Sequence, residues 1–130
     1  MIERVFILKR TDAFRDLSTD VLERLAPHLV DVELERGDRL FEKGEIGTSM
    51  FIVVDGQVRI HHGERTLASL GPGSVLGEFS VLSSEERSAS ATADTEARLL
   101  RLDQDVLYEL MALTPAVSRG LIEVLLDRLR

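Results

Sequence analysis

The spacing of apolar residues predicts helices at the start of the chain. Ile2, Val5 and Phe6 recur at helical spacing within the first ten residues. A second helix is predicted to begin at Ser18, a residue type that caps helix N-termini, and to end near Pro27. Both segments are therefore expected to be short amphipathic helices that precede the first strand.

From residue 29 onward the pattern predicts strands, beginning with residues 29–35, in which apolar and polar residues alternate as in a half-buried strand. The strand segments are 29–35, 39–45, 50–54, 57–62, 65–70, 88–93 and 97–102. Asp55-Gly56 lies between the third and fourth segments and is the dipeptide most favourable for a two-residue hairpin, so these two strands are predicted to pair. Many short strands at close intervals favour a small antiparallel barrel or sandwich over alternating βαβ units.

The tail of the chain predicts two further helices. The first has Asp103 as its N-cap and an apolar face of Val106, Leu107, Leu110 and Met111. Pro115 starts the second, whose apolar stripe is Val117, Leu121, Leu125 and Leu129. Gly120 inside it is expected to weaken the helix by about 1 kcal/mol relative to Ala, which favours this helix as a moving element.

Together these patterns predict one mainly β domain over residues 1–130. Helices occupy 1–28, an antiparallel jelly-roll-like β-barrel occupies 29–102, and the C-terminal helices occupy 103–130. A chain of 130 residues is large enough for one hydrophobic core, and 44% of its residues are hydrophobic.

The charge and composition exclude several functions. The net charge of −7, from 16 basic and 23 acidic residues, argues against nucleic-acid binding, which uses clustered Lys and Arg. The chain has no cysteine, so thiolate metal sites and disulfides are excluded. No apolar run approaches the roughly 20 residues that span a bilayer, and the N-terminus lacks a signal-peptide pattern. A cytoplasmic protein without a membrane span is therefore expected.

Residues 73–93 carry the most informative chemistry. Gly77-Glu78 supplies a carboxylate that can accept hydrogen bonds from a sugar hydroxyl, and Arg87 supplies a planar guanidinium suited to a phosphate. Backbone N–H groups at the start of a short helix would complete an anion site. This loop is therefore interpreted as a receptor for a ligand that contains both ribose and phosphate.

The segment GEFSVLSSEERSASA at residues 77–91 resembles the phosphate-binding cassette of cyclic-nucleotide-binding domains. The family pattern is Gly-Glu, an apolar stretch, and then Arg followed by small residues. The glycines of EKGEIGTSMFIVVDGQVRI upstream and the two helical segments downstream extend the resemblance over nearly the whole chain. The kinase-type Pro before the Arg is replaced here by Glu86.

The resemblance implies a sensor domain whose ligand is cAMP or cGMP, with no further cofactor. Arg87 and the amides after Gly77 would hold the cyclic phosphate, and Glu78 would accept from the ribose 2′-hydroxyl. The implied phosphate and ribose residues are Gly77, Glu78, Phe79, Ser80, Arg87, Ser88 and Ala89, and Ile60 and Leu67 would line the base. The C-terminal helices would report occupancy to an unidentified effector protein or domain, and a homodimer is compatible with their apolar stripe.

Plainer alternatives exist for each residue. Glu78 can stabilise a helix dipole, Arg87 can pair on the surface with Glu85 or Glu86, and Ser88 can be an ordinary strand residue. The whole domain can be an interaction module that keeps the fold and binds a protein through its helices without a ligand. A sensor of another small anion also fits the residues.

Catalysis and metal binding are not predicted. His61 and His62 are adjacent in a strand and point to opposite faces, so both cannot bind one ion. No Ser-His-Asp arrangement or pair of catalytic carboxylates is recognisable, so the chain is not expected to be an enzyme.

Overall fold

Two antiparallel sheets flanked by helices make up the computed structural model, which describes residues 2–129. The N-terminal helices are α1 (Ile2–Lys9) and α2 (Thr19–Leu25), followed by a 3₁₀ turn at Ala26–His28. The strands are β1 (Val30–Leu34), β2 (Arg39–Phe41), β3 (Ser49–Asp55), β4 (Val58–His62), β5 (Arg65–Leu70), β6 (Val75–Leu76), β7 (Ser90–Ala93) and β8 (Ala97–Asp103). The remaining helices are α3 (Glu78–Ser83), α4 (Gln104–Leu113) and α5 (Pro115–Leu129).

Each sheet has four strands, and every pairing is antiparallel. The order is β1-β8-β3-β6 in the first sheet and β2-β7-β4-β5 in the second. Strands that are distant in sequence are neighbours in both sheets, as in a jelly roll. The predicted class, a small antiparallel barrel with flanking helices, is confirmed.

Strand β3 of the first sheet is covered on both faces, which explains why most of its residues are apolar. Met50 and Ile52 face the cluster formed with the helices, whereas Phe51 and Val53 face the cluster between the two sheets. Successive side chains of a strand point to opposite faces, so a strand buried on both sides has a continuous apolar run. The first sheet therefore joins the two halves of the core.

The prediction that Asp55-Gly56 closes a hairpin is wrong. β3 pairs with β6 and β8, while β4 pairs with β5 and β7, so this dipeptide carries the chain from one sheet to the other. A Cβ atom at Gly56 would lie 2.2 Å from the backbone oxygen of Glu96, so the connection packs directly on the start of β8. The hairpin is instead formed by β4 and β5, where His62 pairs with Arg65.

Several predicted boundaries differ from the observed ones. β2 ends at Phe41 instead of residue 45, β7 begins at Ser90 instead of residue 88, and the short β6 was not predicted. Ser18 does cap α2, since its side chain accepts from the Val21 amide. Asp103 is at the N-cap position of α4, but its carboxylate accepts from the side chains of Ser49 and Arg101 instead of capping the helix.

The predicted stripe of α5 does not form one surface. Val117 and Leu121 are buried in the core together with Val124, whereas Leu129 is 77% exposed. Gly120 packs directly against the loop after α1, because a Cβ there would lie 2.0 Å from the backbone oxygen of Ala13. This glycine is a site of close packing for α5, not merely a weak point in the helix.

Gly120→Ala should therefore lower the free energy of unfolding, although alanine favours a helix by about 1 kcal/mol over glycine. The added methyl must displace the Ala13 backbone, and overpacking of this kind typically costs about 1–3 kcal/mol. Urea denaturation followed by circular dichroism measures the change. Ala116→Gly, at an exposed position of the same helix, is the matched control and should be destabilising through propensity alone. A stabilising Gly120→Ala substitution would contradict the packing role.

Candidate functional site

The turn at Gly77 determines where the site begins. Gly77 lies between β6 and α3, at the N-cap position, with φ of +83°. Residues with a Cβ rarely adopt this conformation. A Cβ at Gly77 would also lie 2.6 Å from Nη1 of Arg87. The glycine thus lets the chain turn into α3 while the Arg87 side chain lies directly against the turn.

Arg87 is a buried cation, with only 6% of the residue exposed. Its Nη1 donates to the Gly77 carbonyl at 3.1 Å, and its Nη2 donates to the Ser49 carbonyl at 2.7 Å. Cζ lies 4.2 Å from the centre of the Phe41 ring, a cation–π contact. Burial lowers the pKa of the guanidinium, which nevertheless stays charged in proteins. Arg87 is therefore held inside the domain by backbone carbonyls.

Glu78 is a buried carboxylate on the first turn of α3, and only 1% of it is exposed. Neither of its oxygens has a well-aligned hydrogen bond among the described residues. Its Oε1 is in ion-pair contact with Nη1 of Arg128 at 2.5 Å. Burial raises the pKa of the Glu78 carboxyl, against the opposing effects of Arg128 and Arg87. The carboxylate thus retains capacity to accept hydrogen bonds from a further group.

Arg128 brings α5 to the same place. Besides its contact with Glu78, its Nη2 donates to the backbone oxygen of Val75, at the start of β6. This residue was not predicted as part of the site. It lies 50 positions after Glu78, and nothing in the spacing of the sequence connects the two. The contact exists because α5 packs back across the domain.

These charged groups surround one cavity of about 80 Å³. It is lined by the predicted phosphate and ribose residues Gly77, Glu78, Phe79, Ser80, Arg87, Ser88 and Ala89, by the predicted base residue Ile60, and by Phe41, Leu76 and Arg128. Leu67, the other predicted base residue, is on β5, 45% exposed, and is not among the lining residues. Phe41 was not predicted as a site residue, because the sequence indicates no more than an apolar residue within a predicted strand.

A larger groove of about 560 Å³ lies between the loop after α1 and α5. Its charged residues, which include Asp16, Arg119 and Glu123, are mostly exposed. Exposed charges interact with water at little cost, whereas buried charges need specific partners. The smaller cavity, which contains Glu78 and Arg87, is therefore the stronger candidate for ligand recognition.

The histidines of β4 do not form a metal site with one another. His61 is buried and uses both ring nitrogens: Nδ1 donates to the Gly63 carbonyl, and Nε2 bonds the hydroxyl of Thr92, each at 2.7 Å. Since a carbonyl can only accept, Nδ1 is the donor in the first of these bonds, and both ring nitrogens are occupied within the domain. Within residues 2–129 no three metal-ligating side chains cluster so as to hold an ion.

Comparison with known proteins identifies the family and the fold. A family profile described as the cyclic nucleotide-binding domain matches residues 31–113, which run from the second residue of β1 to the end of α4 and include the whole cassette. This chain belongs to the cyclic nucleotide-binding domain family. The resemblance inferred from the cassette is thereby confirmed, and so is a cyclic-nucleotide-binding regulatory class of domain.

Two sequence relatives are bacterial regulators. The domain is 33% identical over 129 residues to a CRP-like cAMP-activated global transcriptional regulator of Mycobacterium tuberculosis, covering 95% of this chain and 58% of that protein. It is 40% identical over 119 residues to the cyclic AMP receptor protein of Thermus thermophilus, covering 82% of this chain and 55% of that protein. The chain therefore spans little more than half the length of these relatives.

Solved structures agree with the fold. The catabolite activator protein of Thermus thermophilus superposes with a TM-score of 0.84 at 33% identity, over 92% of this chain and 59% of that one. The N-terminal domain of a transcriptional regulator from Streptomyces coelicolor gives 0.78 at 32% identity, over 95% and 90% of the two chains. Among the described residues, no helix has the length and apolar character that crossing a membrane requires.

Glu78→Gln should stabilise the unliganded domain at neutral pH. Because burial raises the pKa of Glu78, its ionised form costs folding free energy above that pKa, and its neutral form does not. Below the unfolded-state value of about 4.3 both proteins carry a neutral side chain, so their difference should vanish. Thermal unfolding of both proteins, from neutral pH to below the unfolded-state pKa, measures this difference in stability. The same change at exposed Glu64 is the control, and a gain that persists unchanged at low pH would contradict the prediction.

Proposed function

We propose that this domain binds cAMP or cGMP in the cavity at the start of α3. The observation that carries the proposal is the burial of opposite charges on one small cavity, with the oxygens of Glu78 lacking aligned hydrogen bonds and the guanidinium of Arg87 nearby. A buried carboxylate with spare acceptor capacity is costly unless a ligand supplies donors. A ribose hydroxyl and a phosphate fit these two groups.

In the proposed complex, the cavity accepts the charged end of the nucleotide. Its volume of about 80 Å³ is well below the roughly 300–1,000 Å³ of cavities that enclose a whole ligand, so it suits only the cyclic phosphate and one edge of the ribose. Arg87 binds the phosphate, assisted by the small residues Ser88 and Ala89. Glu78 accepts from the 2′-hydroxyl. The base then lies at the opening, near Ile60 and the half-exposed ring of Phe79.

The alternative of a ligand-free interaction module is not favoured. Burying two charged side chains on a shared cavity costs stability. In a module without a ligand, no binding function would offset that cost. A surface salt bridge of Arg87 with Glu85 or Glu86 would not bury its guanidinium between the Gly77 and Ser49 carbonyls.

Two variants should separate phosphate recognition from ribose recognition. Arg87→Ala removes the charge-assisted contact to phosphate and should weaken both cAMP and 2′-deoxy-cAMP by about 2–4 kcal/mol. Glu78→Gln should weaken cAMP and leave 2′-deoxy-cAMP nearly unchanged, since only the former has the 2′-hydroxyl. Isothermal titration calorimetry with cAMP, cGMP and the deoxy analogue measures these affinities.

Arg39→Ala is the matched control for these titrations. Arg39 is on neighbouring β2, its side chain is 46% exposed, and it pairs with Glu42 at the surface. It should leave both affinities close to those of the unsubstituted domain. The ribose and phosphate assignment fails if the unsubstituted domain binds neither cAMP nor cGMP. It fails also if Glu78→Gln weakens the binding of cAMP and of 2′-deoxy-cAMP equally.

We further propose that the C-terminal helices relay occupancy, with Arg128 as the link. Its Nη1 is paired with Oε1 of Glu78, which leaves Oε2 for the ribose. Ligand bound beside Arg128 would favour the conformation in which the end of α5 is held against the cavity. This is a population shift, in which the ligand stabilises the state it binds best.

Cyclic nucleotide should therefore slow amide exchange in residues 121–129. Hydrogen exchange with and without ligand measures the effect, and Arg128→Ala should abolish it at saturating ligand. Arg119→Ala, an equal change of charge on an exposed residue of α5 outside the cavity, should preserve it. Protection confined to residues 77–90 would mean that α5 is not the relay.

The partners of the domain stay predictions. α5 exposes Ile122, Leu126 and Leu129, which recur on one side of the helix and form an apolar surface for an effector or a second copy. The acidic net charge of −7 makes direct contact of this domain with nucleic acid unfavourable.

A further inference from the structure

Gly47 lies directly against the side chain of Arg87. It is in the loop between β2 and β3 and is buried. A Cβ atom there would be 2.6 Å from both Cζ and Nε of Arg87 and 2.5 Å from Cβ of Ser80. Ordinary contacts between carbon atoms are about 3.5–4.0 Å. No residue with a side chain fits here unless Arg87 or α3 moves.

The backbone does not by itself require glycine at position 47, because its φ is not in the left-handed region. Gly44 in the same loop is the opposite case. Its φ is +93°, and a Cβ there would have nothing within 4 Å. Gly44 therefore serves the turn, whereas Gly47 serves the contact with Arg87 and Ser80.

The loop also holds the backbone of Arg87. The Arg87 amide donates to the Glu45 carbonyl at 2.7 Å, and the Gly44 amide donates to the Arg87 carbonyl at 2.9 Å. With both ends of the residue fixed, the guanidinium cannot move away from an added methyl and still reach the carbonyls of Gly77 and Ser49. The empty volume at Gly47 is what permits this conformation.

We propose that Gly47 is a positioning residue of the cyclic-nucleotide site. By leaving room beside the guanidinium and Ser80, it lets Arg87 lie deep in the cavity with the orientation that phosphate recognition requires. The inference rests on the proposed function for its consequence in ligand binding. The positioning itself is a property of the domain that is measurable without a ligand.

The ligand-free test is the NMR signal of the Arg87 Nε–H group, identified by its loss in Arg87→Lys. Gly47→Ala should shift or broaden this signal, because the methyl displaces Nε and Cζ. Gly37→Ala introduces the same kind of strain, through a φ of +90° in the turn between β1 and β2, and should leave the signal in place. An unchanged Nε–H signal in folded Gly47→Ala would overturn the inference.

The binding test uses the two phosphorothioate diastereomers of cAMP. Sulfur replaces a different exocyclic oxygen in each, so the ratio of their affinities reports how the guanidinium faces the phosphate. Gly47→Ala should weaken cAMP by roughly ten- to a hundredfold, the scale of a charge-assisted hydrogen bond. The diastereomer ratio should fall towards that of Arg87→Ala. Gly37→Ala should keep the unsubstituted ratio even if its stability falls.

Each outcome separates this inference from the proposed function. If the unsubstituted domain binds no cyclic nucleotide but the Nε–H signal responds to Gly47→Ala, the function fails and the positioning stands. If cAMP binds and Gly47→Ala keeps both its affinity and the diastereomer ratio, the positioning fails and the function stands. If Gly47→Ala does not fold, the double variant Gly47→Ala/Ser80→Gly removes the contact of the added methyl with Ser80. Comparison of this double variant with the single variant Ser80→Gly then isolates the contact of the methyl with Arg87.

Discussion

The burial of Arg87 is the constraint on which the site depends. A guanidinium can be removed from water only where its N–H groups find acceptors. The carbonyls of Gly77 and Ser49 supply them, and the ring of Phe41 lies against its face. These contacts bring the ends of β2 and β6 and the start of β3 to one point. The same contacts explain why two glycines lie against this arginine. Gly77 forms a turn with positive φ, and Gly47 leaves the space that a side chain would fill.

Glu78 shows the opposite condition, because its oxygens are buried without aligned hydrogen bonds and its pKa is raised. Local arrangements that cost stability are expected where a protein binds something, since the ligand restores the missing interactions. Two N–H groups of Arg87 already have acceptors within the domain, whereas Glu78 is only partly neutralised by Arg128. If the cavity binds a cyclic nucleotide as proposed, we expect the carboxylate to be the part of the site that responds most to ligand.

In the proposed relay, helix α5 would connect this response to the rest of the domain. Gly120 packs on the backbone of Ala13, and Arg128 reaches Glu78 and Val75 two turns later. We expect a displacement at either contact to be transmitted along the helix, because the two contacts lie on one continuous helix. A helix weakened at Gly120 would be expected to fray there. The observed close packing instead predicts that α5 is fixed at Gly120 and that the end of the helix can move about this contact.

The sequence alone determined the fold class, most helices and strands, and the cassette from Gly77 to Ala89. These features depend on local periodicity and on residues that are close along the chain. Tertiary structure decided what depends on distant partners. Asp55-Gly56 has the preferences of a hairpin turn, but the strands it joins pair elsewhere. Phe41, Gly47 and Arg128 reach the site from separate segments. Leu67 has the residue type of a base contact, yet it lies on an exposed strand, because the pairing of β5 with β4 determines its position.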